Sequence, residues 1–201
     1  MIALFFDTET TGIPSEEFRP RLVQIAGILY DLDTGRVLAE INFIASQYPG
    51  NTIPAEVVAI HGIDDNMAAI YGFDPKLIDL VFSEMINKAD LLVAHNLEFD
   101  LKILKLNMPL SFSDNLGLKN GFCTMIENVD IVKKPKKPGS NNYDKPEKKY
   151  AYPSLADTYR HYFKADIFGA HDAMVDVRAC QQIYLEMTAV DPWQNNDNQN
   201  T

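Results

Sequence analysis

The sequence predicts an α/β domain with a mixed central sheet flanked by helices, on three observations. β-rich runs come first. Two of them are joined by Leu32-Asp33-Thr34-Gly35, whose Asp and Gly suit the tight turn of an antiparallel hairpin. Strand and helical patterns then alternate to the end of the chain.

Taken in order, Ile2 to Thr8 is an apolar, aromatic run stopped by Thr11, Gly12 and Pro14, which reads as a buried first strand and a loop. Leu22 to Asp31 and Arg36 to Ala45 are the two arms of the hairpin. Pro54 can start a helix over Ala55 to Ile60, and Pro75 another over Lys76 to Lys88. Leu91 to Ala94 is a short buried strand, followed by a helix from Leu97 to Asn107. Near Cys123 a short strand or loop feeds a helix over Thr124 to Val129. Helices over Ser154 to Phe163 and Ala173 to Ala189 close the pattern. Residues 1–191 thus form one domain, and residues 192–201 form a polar tail expected to be disordered.

Composition bounds the function. With 201 residues, 46% apolar and 23% charged, the chain can bury a sizeable core. The first apolar run is cut at once by Asp7, and nothing approaches the roughly 20 apolar residues of a membrane span, so neither an anchor nor a signal peptide is expected. Cys123 and Cys180 lie far apart without metal-ligand spacing, which suits a reducing, cytoplasmic compartment and argues against structural zinc. The net charge of −10 argues against a nucleic-acid partner until its distribution is considered. Residues 133–149 carry seven lysines and two acids, so that stretch holds +5 and the rest −15. Together with three prolines and a Gly-Ser-Asn-Asn run, this makes 133–150 an exposed loop.

Four carboxylates stand where apolar residues are expected. Alternation puts Ala3, Phe5, Asp7 and Glu9 on one face of the first strand, so two acids end an apolar face. On the next helices Asp100 interrupts the stripe Leu97, Leu101, Leu104, and Asp176 heads the stripe Cys180, Ile183, Met187. Any one of these could be an acid at a solvated edge. Four in one small domain point to metal, because an ionised carboxylate is costly to bury unless paired or coordinating. Oxygen ligands favour hard cations, Mg²⁺ or Mn²⁺, and two such ions suit phosphoester chemistry.

Asp7-Thr8-Glu9-Thr10-Thr11-Gly12, His95-Asn96-Leu97-Glu98-Phe99-Asp100 and His171-Asp172-Ala173-Met174-Val175-Asp176 occur in the order of three exonuclease motifs. On them the chain resembles the DEDDh (DnaQ-like) 3′-to-5′ exonucleases, which have the ribonuclease H-like fold. Gly169 to Met187 is similar to the proofreading subunits of bacterial DNA polymerases, and Ile60-His61-Gly62-Ile63 resembles the segment between the first two motifs. The resemblance implies release of nucleoside 5′-monophosphates from DNA 3′ ends, with two Mg²⁺ or Mn²⁺ ions held by Asp7, Glu9, Asp100 and Asp176. It makes Asp7 the bridge between the ions and His171 the general base.

Geometry supports that role for His171 independently. On one continuous helix residues 171 and 176 would point some 140° apart, so His171 belongs to the Gly169-Ala170 loop, with Asp172 capping the helix. Histidine is also the side chain able to accept a proton near neutrality. Thr8, Thr10, Thr11, His61, Asn96 and Phe99 are candidate substrate contacts, the threonines following the metal ligands in a loop. His95 is read as scaffold and His161 as structural. An RNA-trimming exoribonuclease is the alternative within the class, and a non-catalytic polymerase-accessory module the alternative outside it. A DNA polymerase is a candidate partner.

Overall fold

A hairpin and two helix-linked strands assemble into one five-stranded sheet in the computed structural model, which describes residues 1–112, 119–136 and 149–189. The strands are β1 (Ile2–Thr10), β2 (Leu22–Asp31), β3 (Arg36–Ile44), β4 (Leu91–Ala94) and β5 (Asn120–Cys123), in the order β3-β2-β1-β4-β5. β2 is antiparallel to β1 and β3, whereas β4 is parallel to β1 and β5. The expected mixed sheet is therefore present, with the hairpin on one side of β1 and the helix-linked strands on the other.

The alternation in β1 sorts its side chains as expected. Leu4 and Phe6 enter one core with Ile78 and Phe82 of α3 (Pro75–Lys88) and Ile103 and Leu104 of α4 (Leu97–Asn107). Ala3 and Phe5 enter the opposite core with Val177, Cys180 and Tyr184 of α8 (Ala173–Thr188). Phe5 and Phe122 both meet the Tyr184 ring edge-on, with centroids 5.3 and 4.9 Å away. Each such buried aromatic contributes roughly 1.5–3 kcal/mol relative to an exposed one. The two cores clamp β1 between α3 and α4 on one side and α8 on the other.

Three elements depart from expectation. β1 continues to Thr10, past the expected Thr8, because Glu9 still pairs with Gln24 before the register shifts. Besides α1 (Ala55–His61), a second short helix α2 (Asp65–Tyr71) forms, capped by the Asp64 carboxylate accepting from Met67 N. It carries a single buried residue, Ala68, too little apolar face for a periodic signal. It ends at Gly72, where a Cβ would lie 2.2 Å from Ala68 O and 2.6 Å from Ser46 N, so only glycine fits against the end of the hairpin.

The helix expected over Thr124 to Val129 is two single turns, α5 (Thr124–Glu127) and α6 (Val129–Val132). Asn128 separates them. Its buried side chain donates to Thr124 O and to Met187 Sδ and accepts from Tyr162 of α7 (Leu155–Phe163), tying four segments together. Of the expected basic loop only residues 133–136 and 149–150 are described; the remainder, and the expected tail, lie outside the described residues. Lys134 is anchored, donating to Asp157 over 2.6 Å and accepting Ala151 N at its carbonyl. Among the described residues no helix is long and apolar enough to cross a membrane.

Candidate active site

The carboxyl end of β1 is where the motifs meet, because its two neighbours bring different partners to it. β4 runs parallel beside β1 and turns at once into α4, so Asp100 in the first turn of α4 arrives next to β1. Asn96, at φ +76°, makes that sharp turn in the left-handed region. From the other face α8 delivers Asp176 in its own first turn. Asp7 and Glu9 project from β1 on the side of Ala3 and Phe5, the side that α8 covers.

Thr8 points the opposite way and donates to Asp100 Oδ1 over 2.7 Å, so the hydroxyl braces a carboxylate across the end of the strand. The other threonine hydroxyls are also engaged. Thr10 donates to Gly12 O, and Thr11 accepts from Arg21 N. The stretch expected as a loop is thus strand to Thr10 and then a tied turn, with Thr8, Thr10 and Thr11 all buried.

His171 sits as the spacing required. Gly169 and His171 both have positive φ, +79° and +70°, and Asp172 caps α8 by accepting from Met174 N and Val175 N. The turn brings His171 N within 3.2 Å of Asp176 Oδ2. One ligand atom each of Glu9, His171 and Asp176 lie within 4.8 Å of one another.

Electrostatically the four acids are mismatched to the protein around them. Burial, followed by repulsion from Asp100, Glu9 and Asp176, drives the Asp7 carboxyl well above its ordinary range. Burial likewise pushes Glu9 up to about 8, with Asp176 and Asp100 adding, and Asp176 up to about 6. Asp100 rises to about 7 by burial, against the opposing pull of the Thr8 hydroxyl. None of the ion pairs among the described residues involves any of the four. Asp176 Oδ1 is buried with no hydrogen-bond partner. A cluster that repels itself, forms no ion pair with Lys or Arg among the described residues and holds an orphaned oxygen fits hard divalent cations, its carboxylate donors suited to Mg²⁺ or Mn²⁺.

The remaining candidates divide. His61, at the end of α1, accepts from Ile63 N at Nδ1. Burial lowers its imidazole, the Thr10 backbone opposing and His171 adding to the decrease, which places it at the rim of the cluster. Asn96 makes no side-chain cap bond, leaving its amide uncommitted to the helix. Phe99 packs against the core shared with α3. His95 bonds Thr124 Oγ1 through Nδ1 and Pro153 O through Nε2, a scaffold role as expected. Because a carbonyl only accepts, Nε2 carries the proton and Nδ1 receives the Thr124 hydroxyl. Sequence reasoning missed Gln24, whose one signal is a polar residue within the apolar run of β2.

The chain matches the exonuclease family model RNase_T over residues 4–184. It is 28% identical over 192 residues to the DNA polymerase III subunit epsilon of Treponema pallidum (strain Nichols), an alignment spanning 94% of this chain and 78% of that protein. E. coli Exonuclease I in complex with a dT13 oligonucleotide superposes at TM-score 0.66 and 19% identity, over 92% of this chain and 41% of the other. The zinc-ion-bound form of an E. coli ExoI–ssDNA complex superposes at TM-score 0.64 and 20% identity, over 92% and 40%. The chain therefore spans about four-tenths of the length of those structures, and at such identities the likeness is one of fold. That fold is the ribonuclease H-like architecture implied by the motifs.

Proposed function

The chain belongs to the RNase_T exonuclease family, and from that premise we propose that it removes nucleotides from DNA 3′ ends as nucleoside 5′-monophosphates. The observation that carries the reading is the gathering of Asp7, Glu9, Asp100 and Asp176 around the end of β1, near enough to raise one another's pKa, with His171 beside Glu9 and Asp176. The oligonucleotide in E. coli Exonuclease I and the zinc ion in its other form lend support, as does the likeness to a DNA polymerase III subunit.

In this reading Asp7, Glu9, Asp100 and Asp176 hold two Mg²⁺ or Mn²⁺ ions. When bound, the ions supply charge that favours the attack of water on the terminal phosphodiester and the departure of the 3′ oxygen. Asp7, with the most acid neighbours, would help to hold both ions. Thr8 holds Asp100 in place, and the Asp172 cap sets the height of Asp176. An imidazole nitrogen of His171 takes the proton of the attacking water and passes it to solvent. The backbone of Thr10 and Thr11, together with Asn96 and His61, lines the approach of the terminal nucleotide. A DNA polymerase is the proposed partner.

End-labelled DNA and RNA, single- and double-stranded, incubated with and without Mg²⁺, test this. Stepwise shortening from the 3′ end of DNA, abolished by EDTA, is expected. Shortening of RNA in preference to DNA would move the substrate class, and cleavage in EDTA would remove the metal reading.

A further inference from the structure

Gln24 is a buried amide near the start of β2, 3% exposed, with apolar residues on both sides. Such a group persists in a core only when its hydrogen bonds are made. Nε2 donates to Asn42 Oδ1 of β3 at 2.9 Å and to Asp172 Oδ2 at 3.1 Å, and Oε1 accepts Ala173 N at 3.2 Å. The orientation is fixed by its partners, since a carboxylate must face the NH₂ group and a backbone N–H the oxygen. Two of the three bonds end on the first residues of the α8 unit.

Those residues carry the site. Asp172 spends its other oxygen capping α8, and its carbonyl accepts Asp176 N at 3.0 Å. His171 is its immediate neighbour and donates through its backbone to Asp176. On the opposite side, Gln24 is the strand partner of Glu9. The amide thus stands between the strand bearing one acid of the cluster and the helix start bearing the other acid and the histidine.

We propose that Gln24 is a positioning residue for this site. It locks the start of α8 at a fixed height over the end of β1, and so keeps Glu9, His171 and Asp176 within reach of common ligands. The inference rests on the proposed nuclease reading for its activity readout, and on metal affinity otherwise.

The test is a polarity swap. Gln24→Glu keeps an acceptor for Ala173 N but sets a carboxylate oxygen against Asp172 Oδ2. Asp172→Asn keeps a cap but sets an NH₂ group against the Gln24 NH₂. Combining them restores one donor facing one acceptor. Each single variant should lose about tenfold or more in turnover with KM within about twofold of wild type, as displacement of a catalytic group does. The double variant should recover to within about threefold, the coupling of a direct contact. Gln24→Leu, apolar and of similar size, should lose turnover while remaining folded. Calorimetric Mn²⁺ titration should follow the same order, weakened in the singles and restored in the double.

Wild-type turnover in folded Gln24→Leu and Gln24→Glu would overturn the proposal. So would lowered thermal stability with unchanged kcat, or a folded double variant that stays as impaired as its parents. Should the wild type degrade no nucleic acid, the function reading falls instead, and the Mn²⁺ series alone decides whether Gln24 positions the site.

Discussion

The Thr8 hydroxyl donates to Asp100 Oδ1 over 2.7 Å, a buried bond that joins β1 to the first turn of α4 and holds one ligand candidate from the side facing away from the others. It also favours the charged form of Asp100 against the burial that raises it to about 7. Thr8→Val removes the hydroxyl at nearly constant volume. Asp100 should then keep its proton to higher pH, and Mn²⁺ should have to displace it. Calorimetry should show affinity about tenfold weaker near pH 6.5, the worth of one pK unit, with much of the loss recovered near pH 8.5. Thr8→Ser should behave as wild type. An equal loss at both pH values would show that the hydroxyl acts only through shape.

The charge state of the cluster should govern stability without metal. Glu9, Asp100 and Asp176 titrate at about 8, 7 and 6 in the fold, all above the usual carboxylate range. The folded protein therefore holds protons that the unfolded chain releases near pH 4, so their stabilisation is complete below that pH and is lost as pH rises through 6 to 8. His95, lowered to about 4 chiefly by burial, acts in the opposite sense, its contribution being lost as pH falls from 6.5 towards 4. Between pH 6.5 and 8.5 the amino terminus, raised by its bond to Asp33, acts in the same sense as the carboxylates, and only His61, lowered by burial, opposes them. In EDTA, Tm should fall across that range, and millimolar Mg²⁺ should raise Tm by an amount that grows with pH. A Mg²⁺ shift largest at pH 6.5 would contradict the assignment of these acids as ligands.

Base and ligand should separate by mutation. His171→Ala should lower turnover by about 10²-fold or more, the usual size of a general-base contribution, with Mn²⁺ affinity near wild type. Asp176→Ala should weaken Mn²⁺ binding as well. Asp7→Asn should abolish activity, whereas Asp74→Asn, which preserves the cap of α3, should not. The division fails if His171→Ala loses metal as severely as Asp176→Ala, since histidine nitrogen is itself within the reach of a shared ligand.

Much of this site was legible because carboxylates on apolar faces violate periodicity, and violations are visible without a fold. Asp7, Glu9, Asp100 and Asp176 announce themselves in that way, whereas His171 was picked out by the motif it resembles, and the angle between positions on a helix placed it in the loop before α8. The sheet was legible for a related reason, since strand alternation and the Asp33-Thr34-Gly35 turn are local. Gln24 and Asn128 were not, because Asp172 and Met187, to which they reach, lie 148 and 59 residues away, and a lone amide in an apolar run carries no direction. The loop expected after Thr8 is strand instead, because β1 runs two residues further than its composition suggests. Strand ends are set by pairing with Gln24 and Leu22, not by the residues themselves.

In the basic stretch 133–149, Lys134 already has a partner for its charge. Lys134 donates to Asp157, whose carboxyl is pushed up by partial burial but carried down to about 2 by Lys134 and Ser154. That pair closes the capping box of α7, so its charge is already matched, and both side chains are about one-third exposed. Lys134→Ala should therefore cost at most about 1 kcal/mol of stability and leave the salt dependence of DNA binding unchanged. Lys133 and Lys137 flank it on a chain at −15 elsewhere, which must still attract a polyanion. Replacing both with Ala should raise KM more than it lowers kcat. It should also flatten the slope of log affinity against log salt by about 1.4, at roughly 0.7 per phosphate contact on single strands. Measured by fluorescence anisotropy with a 3′-labelled single strand in Ca²⁺, an unchanged slope in that double variant, or a flattened one in Lys134→Ala, would reverse the assignment of the two groups.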